Sequence, residues 1–175
     1  QHLNEHLKFK VPQLLSEAIF EETGIDTPSW RIIDLGCGTG LSGMALKNFA
    51  SHMIGIDASS NMLTLAEKKD IYDELIHGDI TDNITHYTDI DLVVASDVFS
   101  YIGNLDPILQ NIAKTLSPGG IVAFSVEKGK DQDYSLQKNI RYNHNKDYIQ
   151  MLLNKYNYKT LRIDNAILRQ QMKKP

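Results

Sequence analysis

Cysteine, tryptophan, long apolar runs and an excess of positive charge are all scarce or missing in this chain. A single cysteine, Cys37, stands among 175 residues. A framework of internal disulfides is therefore excluded, and a reducing compartment, the cytoplasm, is the expected location. Lys and Arg number 18 against 22 Asp and Glu, for a formal net charge of −4. That balance argues against nonspecific nucleic-acid binding, which wants a basic surface. No stretch approaches the ~18 consecutive apolar residues of a membrane span. The opening segment mixes His, Asn, Glu and Lys with single apolar residues and does not read as a signal peptide. The chain starts at Gln1 instead of Met, which points to a trimmed sequence. Internal repeats and low-complexity tracts are missing as well. The expected partner is a small molecule, with neither nucleic acid nor membrane involved.

What is present describes one soluble domain. Hydrophobic residues make up 42% and charged residues 23%, enough to build one core at this length and too little for two domains. Leu3, Leu7, Val11, Leu14, Leu15, Ala18 and Ile19 recur at helical spacing. Pro12 marks a first helical turn, and Gly24, Asp26 and Pro28 end the helical segment after about Glu22. Strands and helices then alternate. The pattern predicts strands over Trp30–Leu35, His52–Asp57, Glu74–His77, Asp91–Ser96, Gly120–Val126 and Tyr158–Leu168. It predicts helices over Leu41–Ala50, Ser60–Lys69, Pro107–Leu116 and Lys146–Lys155. Such alternation implies parallel pairing through crossovers, and near-continuous apolar strands imply a sheet covered on both faces. The expected fold is an open, mostly parallel α/β sheet with helices on both sides. Residues 1–28 form a helical cap, 29–126 a ligand-binding core, 127–145 an irregular lid-like insertion, and 146–175 a closing helix and strand.

Ligands of open α/β sheets bind beyond the carboxyl ends of the strands, so the residues after each strand carry the functional signal. After the first comes Asp34-x-Gly36-x-Gly38-x-Gly40. Its glycines permit a sharp turn and a close approach of backbone to ligand, although a glycine-rich packing turn reads the same way. Asp57 ends the second strand, nineteen positions past Gly38, where an acid accepts hydrogen bonds from ribose hydroxyls. A helix-capping role for Asp57 competes, but Ser59 and Ser60 are better placed to cap. Gly78-Asp79-Ile80 follows the third strand, and Asp79 there is an acceptor for an adenine amino group or an ordinary loop acid. Ser96-Asp97-Val98-Phe99-Ser100-Tyr101 follows the fourth strand and faces the reacting end of a ligand.

Two ligands fit this layout, a nicotinamide or flavin dinucleotide and S-adenosylmethionine (SAM). Gly38-Thr39-Gly40-Leu41-Ser42-Gly43 satisfies G-x-G-x-x-G literally. Against a dinucleotide stands Asp34 at the strand end, an anion that repels a pyrophosphate but suits the ammonium and sulfonium of SAM. Leu116-Ser117-Pro118-Gly119-Gly120 adds turn chemistry before the fifth strand, with Pro118 second and Gly119 where a positive φ is needed.

Over roughly Trp30 to Leu168 the chain resembles the class I SAM-dependent methyltransferases. The resemblance is carried by Ile33-Asp34-Leu35-Gly36-Cys37-Gly38-Thr39-Gly40, Gly55-Ile56-Asp57-Ala58-Ser59 with Met62-Leu63 and Ala66, His77-Gly78-Asp79, Asp91-Leu92-Val93-Val94 and the Pro118-Gly119-Gly120 turn. More narrowly it is similar to predicted small-molecule methyltransferases of bacteria, some joined to tetratricopeptide repeats. The features are Tyr72-Asp73-Glu74-Leu75, the run Ser96 to Gly103, Phe124-Ser125-Val126-Glu127 and Arg141-Tyr142-Asn143-His144. The resemblance implies a Rossmann-like fold of class I methyltransferase type, with the family's seventh, antiparallel edge strand missing or trimmed. It implies SAM as cofactor, S-adenosylhomocysteine as product, and Asp34, Gly36, Cys37, Gly38, Gly40, Asp57, Ala58, Met62, Gly78, Asp79, Ile80 and Ser96 as cofactor-binding positions.

The methyl acceptor, through O or N, is unidentified. The chain lacks the Asn/Asp-Pro-Pro-Tyr run that many nucleic-acid and protein N-methyltransferases carry after the fourth strand, which argues against adenine or glutamine as acceptor. Candidates near the methyl are Asp97, Tyr101, Tyr142 and His144. His144 titrates near neutral pH and is a candidate base, or else a polar loop residue at a helix start. Tyr101 is a candidate wall or donor, and Asp97 a candidate catalytic group or a turn cap. Tyr134, Tyr142 and Tyr148 suggest a lid, with Tyr148 reading equally as core. No metal is expected: the histidines do not cluster with carboxylates, and the His2/His6 pair at i, i+4 reads as a solvated face. Cys37 reads as a small loop residue, not a nucleophile.

Overall fold

A computed structural model of the chain describes residues 10–166. Five strands, β1 (Trp30–Leu35), β2 (Ala50–Asp57), β3 (Glu74–His77), β4 (Ile90–Ala95) and β5 (Leu116–Phe124), form one sheet in the order β3-β2-β1-β4-β5. Every pairing is parallel. The helices are α1 (Lys10–Thr23), α2 (Leu41–Leu46), α3 (Ser60–Glu67), α4 (Ile80–Asn83), α5 (Asp106–Thr115) and α6 (Lys146–Lys155). This is the expected doubly wound α/β sheet. Chain direction across the sheet reverses between β1 and β4, which makes the cleft beyond their carboxyl ends the switch point where ligands bind.

The strands hold their place because branched residues alternate between two cores. Ile33, Leu35, Ile54, Ile56, Val93 and Ala95 pack on one face with Leu109 and Ile112 of α5 and Leu152 of α6. Ile32, Met53, Leu92 and Val94 pack on the other with Ile19 of α1, Leu46 of α2 and Phe49. Ser16 of α1 donates to the carbonyl of Ala45 at 2.9 Å and ties α1 to α2. The helical segment of residues 1–9, with Leu3, Leu7, His2 and His6, lies outside the described residues. Among those described, no helix is long and apolar enough to cross a membrane.

Several boundaries differ from the sequence expectation. The helix expected over Leu41–Ala50 stops at Leu46, because Ala50 already pairs with Trp30 in β2. The strand expected over Gly120–Val126 begins at Leu116. Its register runs Ile90↔Leu116, then Leu92↔Ile121, so Ser117-Pro118-Gly119-Gly120 bulges from the strand, with Gly119 at φ 79°. The Glu127–Asn145 insertion is not irregular throughout. It holds β6 (Glu127–Lys128), β7 (Tyr134–Leu136) and β8 (Tyr142–His144), a second sheet in the order β6-β8-β7. The strand expected over Tyr158–Leu168 is absent from residues 158–166, and the last two positions lie outside the described residues. Tyr158 instead turns inward and donates to the carbonyl of Leu109 at 2.8 Å, while Arg162 pairs with Glu21 of α1.

Leu92 is fully buried at the centre of β4. Leu92→Ala is expected to cost ~2–5 kcal/mol of stability, read as a lower denaturant midpoint.

Candidate functional site

The loop after β1 is shaped by its glycines and fastened by main-chain bonds. Gly36, Gly38 and Gly40 have φ of 63°, 53° and 86°, a region that other residues enter at a cost. Gly36 also lies against Val98 beyond β4, where a Cβ would collide with the valine side chain. Nothing lies within 4 Å of the Cβ position of Gly38, so the middle of the loop is open. Gly36 N–H donates to the Ile56 carbonyl at 2.8 Å, and Gly40 N–H to the Cys37 carbonyl at 2.9 Å.

Asp57 joins this loop to the one after β2. Its Oδ2 accepts from Gly38 N–H at 2.8 Å and its Oδ1 from Ser59 N–H at 2.8 Å. Helix α3 is capped by Ser59, whose hydroxyl accepts from Met62 N–H at 3.4 Å, leaving Asp57 free of capping duty. Ala58 and Met62 are exposed beside it, and the Ala58 carbonyl meets His77 Nε2 at 3.0 Å. Gly78 N–H donates to the Asp57 carbonyl at 3.0 Å, which brings the third strand end to the same edge. Asp79 is exposed and caps α4, its Oδ1 accepting from Thr81 and Asp82 N–H at 2.7 and 3.3 Å. Ile80 is buried behind it, and Ser96 is half-buried at the end of β4.

Asp34 does not stand at the strand end as an open anion. Its side chain points the same way as Ile32, toward α2, and is 0% exposed. Tyr72 donates its hydroxyl to Oδ2 at 2.7 Å, while Oδ1 has no hydrogen-bond partner. Burial raises its pKa from 3.8 to about 7, with the Asp57 charge adding to the rise and the Tyr72 hydroxyl and Gly43 amide opposing it. The electrostatic contrast drawn from the sequence, an exposed anion attracting a cationic ligand, is therefore weaker than expected. Burial, with Asp34 and Asp57 nearby, also pushes the Cys37 thiol up, which leaves it protonated and unreactive.

On the β4 side, Asp97 and Tyr101 come together around Arg141, a buried residue from the second sheet. Arg141 pairs with Asp97, meets Glu127 Oε1 at 2.5 Å and donates to Tyr101 Oη at 3.2 Å. Its guanidinium also lies 5.0 Å from the centre of the Tyr101 ring. Tyr101 keeps 63% of its surface exposed above this cluster. His144 sits apart, only 1% exposed, between Tyr134 and a stacked Tyr148. Its Nε2 lies 2.9 and 3.1 Å from the carbonyls of Ile102 and Gly103, so that nitrogen carries the proton and donates. Burial lowers its pKa. Tyr148 is core, with its hydroxyl accepting from Leu105 N–H at 3.0 Å, and Tyr142 and Tyr134 pack where Gly103 leaves room for no side chain. Arg141, Glu127 and Tyr72 are the participants that residue spacing did not single out. Arg141 and Glu127 lie in a polar stretch without periodicity. All three were visible only within the runs Tyr72-Asp73-Glu74-Leu75, Phe124-Ser125-Val126-Glu127 and Arg141-Tyr142-Asn143-His144 that carry the resemblance.

Comparison with known proteins places these features in a family. A family model described as a methyltransferase domain matches residues 26–170. Malonyl-[acyl-carrier protein] O-methyltransferase of Bacillus cereus is 28% identical over 111 residues, covering 62% of this chain and 41% of that enzyme. The chain thus spans about two fifths of the length of curated relatives it matches. Among solved structures, an S-adenosylmethionine-dependent methyltransferase from Clostridium acetobutylicum aligns with TM-score 0.63 and 18% identity over 81% of this chain and 78% of that one. Magnesium protoporphyrin IX methyltransferase from Synechocystis, solved with bound SAM, aligns with TM-score 0.66 and 16% identity over 89% and 70%. At such identities the likeness concerns the fold, which is the Rossmann-like fold of class I methyltransferases.

The Asp34 carboxyl gives a pH signature. Because its folded pKa is raised, the folded chain holds this proton more tightly than the unfolded chain does. The stability it contributes is present below about pH 4 and is lost as pH rises through about 7. Melting temperatures measured from pH 5 to 8 should fall less for Asp34→Asn than for the wild type, and parallel curves would contradict the assignment.

Proposed function

We propose, because this chain belongs to the methyltransferase-domain family, that it transfers the methyl group of SAM to an oxygen or nitrogen of a small-molecule acceptor and releases S-adenosylhomocysteine. The observation that carries the reading is the Asp57 bridge between an open glycine loop and the loop after β2. Two main-chain bonds leave a carboxylate with further acceptor capacity, which suits ribose hydroxyls beside Gly38. The open Cβ position of Gly38 fits a ligand lying on this loop. Gly36, Cys37, Gly40, Ala58, Met62, Gly78, Asp79, Ile80 and Ser96 complete the binding edge in this reading. Asp79 offers Oδ2 to an adenine amino group, since Oδ1 is taken by the α4 cap.

SAM supplies a methyl carbon already activated by its sulfonium. The chain's task is alignment and the exclusion of water, and alignment alone supplies ~7–11 kcal/mol of barrier lowering. The acceptor's lone pair forms the new bond to carbon as the carbon–sulfur bond breaks, and sulfur keeps that electron pair. We assign the acceptor side to Tyr101 and Asp97, held by Arg141 and Glu127. Tyr101 offers an exposed ring and hydroxyl, and Asp97 a carboxylate able to take the acceptor's proton. We assign His144 a supporting role, since its ring is enclosed and its donor is spent on two carbonyls. The cytoplasm is the proposed location.

The competing reading is a nicotinamide-dependent oxidoreductase, which the literal G-x-G-x-x-G of residues 38–43 keeps in view. Thermal shift separates the two readings. S-adenosylhomocysteine at about 100 times its Kd should stabilise by ~2.7 kcal/mol, and NAD(P)H should not. Stabilisation by NAD(P)H alone would overturn the proposal. Asp57→Ala should weaken S-adenosylhomocysteine binding at least ~10-fold in calorimetry with the far-ultraviolet spectrum unchanged.

A further inference from the structure

The short run Tyr72-Asp73-Glu74-Leu75 just before and into β3 has no part in the cofactor edge as described, yet each residue has a defined partner. Asp73 exchanges bonds with Met53, donating its N–H to the Met53 carbonyl at 2.8 Å and accepting Met53 N–H on Oδ2 at 2.7 Å. Glu74 meets His52 Nε2 at 2.9 Å and accepts from the Tyr87 hydroxyl at 3.2 Å. Leu75 lies against Gly55, where an added Cβ would come within 2.8 Å of its Cδ2. These contacts fix the backbone on both sides of Tyr72 and aim its ring.

That ring runs beneath the glycine loop. Added Cβ atoms at Gly40, Gly43 and Gly55 would fall 3.2, 2.5 and 3.0 Å from Tyr72 atoms. Three glycines from three segments are thus shaped around one tyrosine. At the end of the ring the hydroxyl donates to Asp34 Oδ2 at 2.7 Å. The other oxygen of the same carboxyl is fully buried and unpartnered. Asp34 is the penultimate residue of β1, just before the loop, and the Gly43 amide of α2 faces the same carboxyl. The other titratable groups around it are Asp57 from β2 and Cys37 from the loop, with Lys69 reaching Gly40 through its methylene chain.

We propose that Tyr72 is a positioning residue of the cofactor site: its ring supports Gly40, Gly43 and Gly55 from below, and its hydroxyl orients Asp34 so that the glycine loop is held in its ligand-ready shape. The inference rests on the cofactor reading above. An ionised Asp34 accepts the Tyr72 hydroxyl and the Gly43 amide more strongly than the neutral acid does. Burial nonetheless favours the neutral acid, so loop order, and with it cofactor affinity, falls as Asp34 loses its proton.

Calorimetric titration with S-adenosylhomocysteine between pH 5.5 and 8.5 tests this on the whole chain. Wild type should bind more weakly as pH rises through about 7. Tyr72→Phe keeps the ring and so the packing. It should bind about 10-fold more weakly at pH 7, with its pH midpoint displaced upward because the opposing hydroxyl is gone. Asp34→Asn, with Tyr72 in place, should show no pH dependence across the same window. Wild-type affinity in Tyr72→Phe, an unmoved midpoint, or a pH profile that persists in Asp34→Asn would overturn the inference while leaving the cofactor assignment standing. A wild-type chain that binds no S-adenosylhomocysteine would overturn both.

Discussion

The carboxylate of Asp57 accepts one main-chain N–H from the loop after β1 and one from the loop after β2. Hydrogen bonds to a charged acceptor contribute ~1.5–3 kcal/mol each. Here they act on segments that no regular ladder reaches. β1 and β2 pair only as far as Leu35↔Ile56. Beyond that point the chains diverge toward α2 and α3. Asp57, with the Gly36 and Cys37 amides on the Ile56 carbonyl, keeps the two loops together past the end of the sheet. The binding edge exists because this bridge extends the strand pairing by a few ångströms of otherwise unsupported backbone.

Steric constraint completes what the bridge begins. The loop is pressed from the side by Val98 against Gly36 and from beneath by Tyr72 against Gly40 and Gly43. Only at Gly38 is there open space. A loop confined on two sides and open on one has a single direction in which a ligand can approach. Its three positive φ values place main-chain groups where side chains at these positions would obstruct them. The site is in this sense a property of the backbone, with the carboxylates of Asp34 and Asp57 keyed into it from below and beside.

Much of this was legible from residue pattern, and the failures have identifiable causes. β1, β3 and α6 fall at the expected residues because each is bounded by strong signals, such as the glycine loop after Leu35 and the Asn145 cap before Lys146. Leu161 and Ile163 alternate like a strand, but alternation needs a partner to become one, and both are exposed in the described chain. β6, β7 and β8 are two or three residues long and largely polar, too short for any period to register. Asp34 shows the sharpest difference. Its charge was plain, but its environment depends on strand phase. Sharing a side with Ile32 puts it under α2, in the company of Tyr72, not at the open end of the strand. Arg141 stood in a run that carried the resemblance, but its role was not legible: its partners Asp97, Tyr101 and Glu127 lie 44, 40 and 14 positions away, beyond any local rule.

The two halves of the cleft are consequently held by different forces. The glycine-loop side depends on main-chain hydrogen bonds and glycine sterics. The β4 side depends on one guanidinium facing two carboxylates. It also contains two non-glycine residues in the left-handed region, Asp97 at φ 58° and the exposed, β-branched Ile140 at φ 60°. Such conformations cost of order 1–3 kcal/mol each and persist where neighbouring contacts over-determine them. Here Arg141 supplies those contacts, following Ile140 in the chain and pairing with Asp97 in space. Gly103 permits the docking by admitting the rings of Tyr134 and Tyr142 where a side chain would stand. The second sheet is therefore attached to the switch point through an ion-pair cluster, the buried His144 bonds to the Ile102 and Gly103 carbonyls, and aromatic contacts that Gly103 admits. In the proposed reading, a fold built this way can keep one cofactor geometry while the wall facing the acceptor, carried on a hairpin fastened from the β4 side, takes the shape of a different substrate.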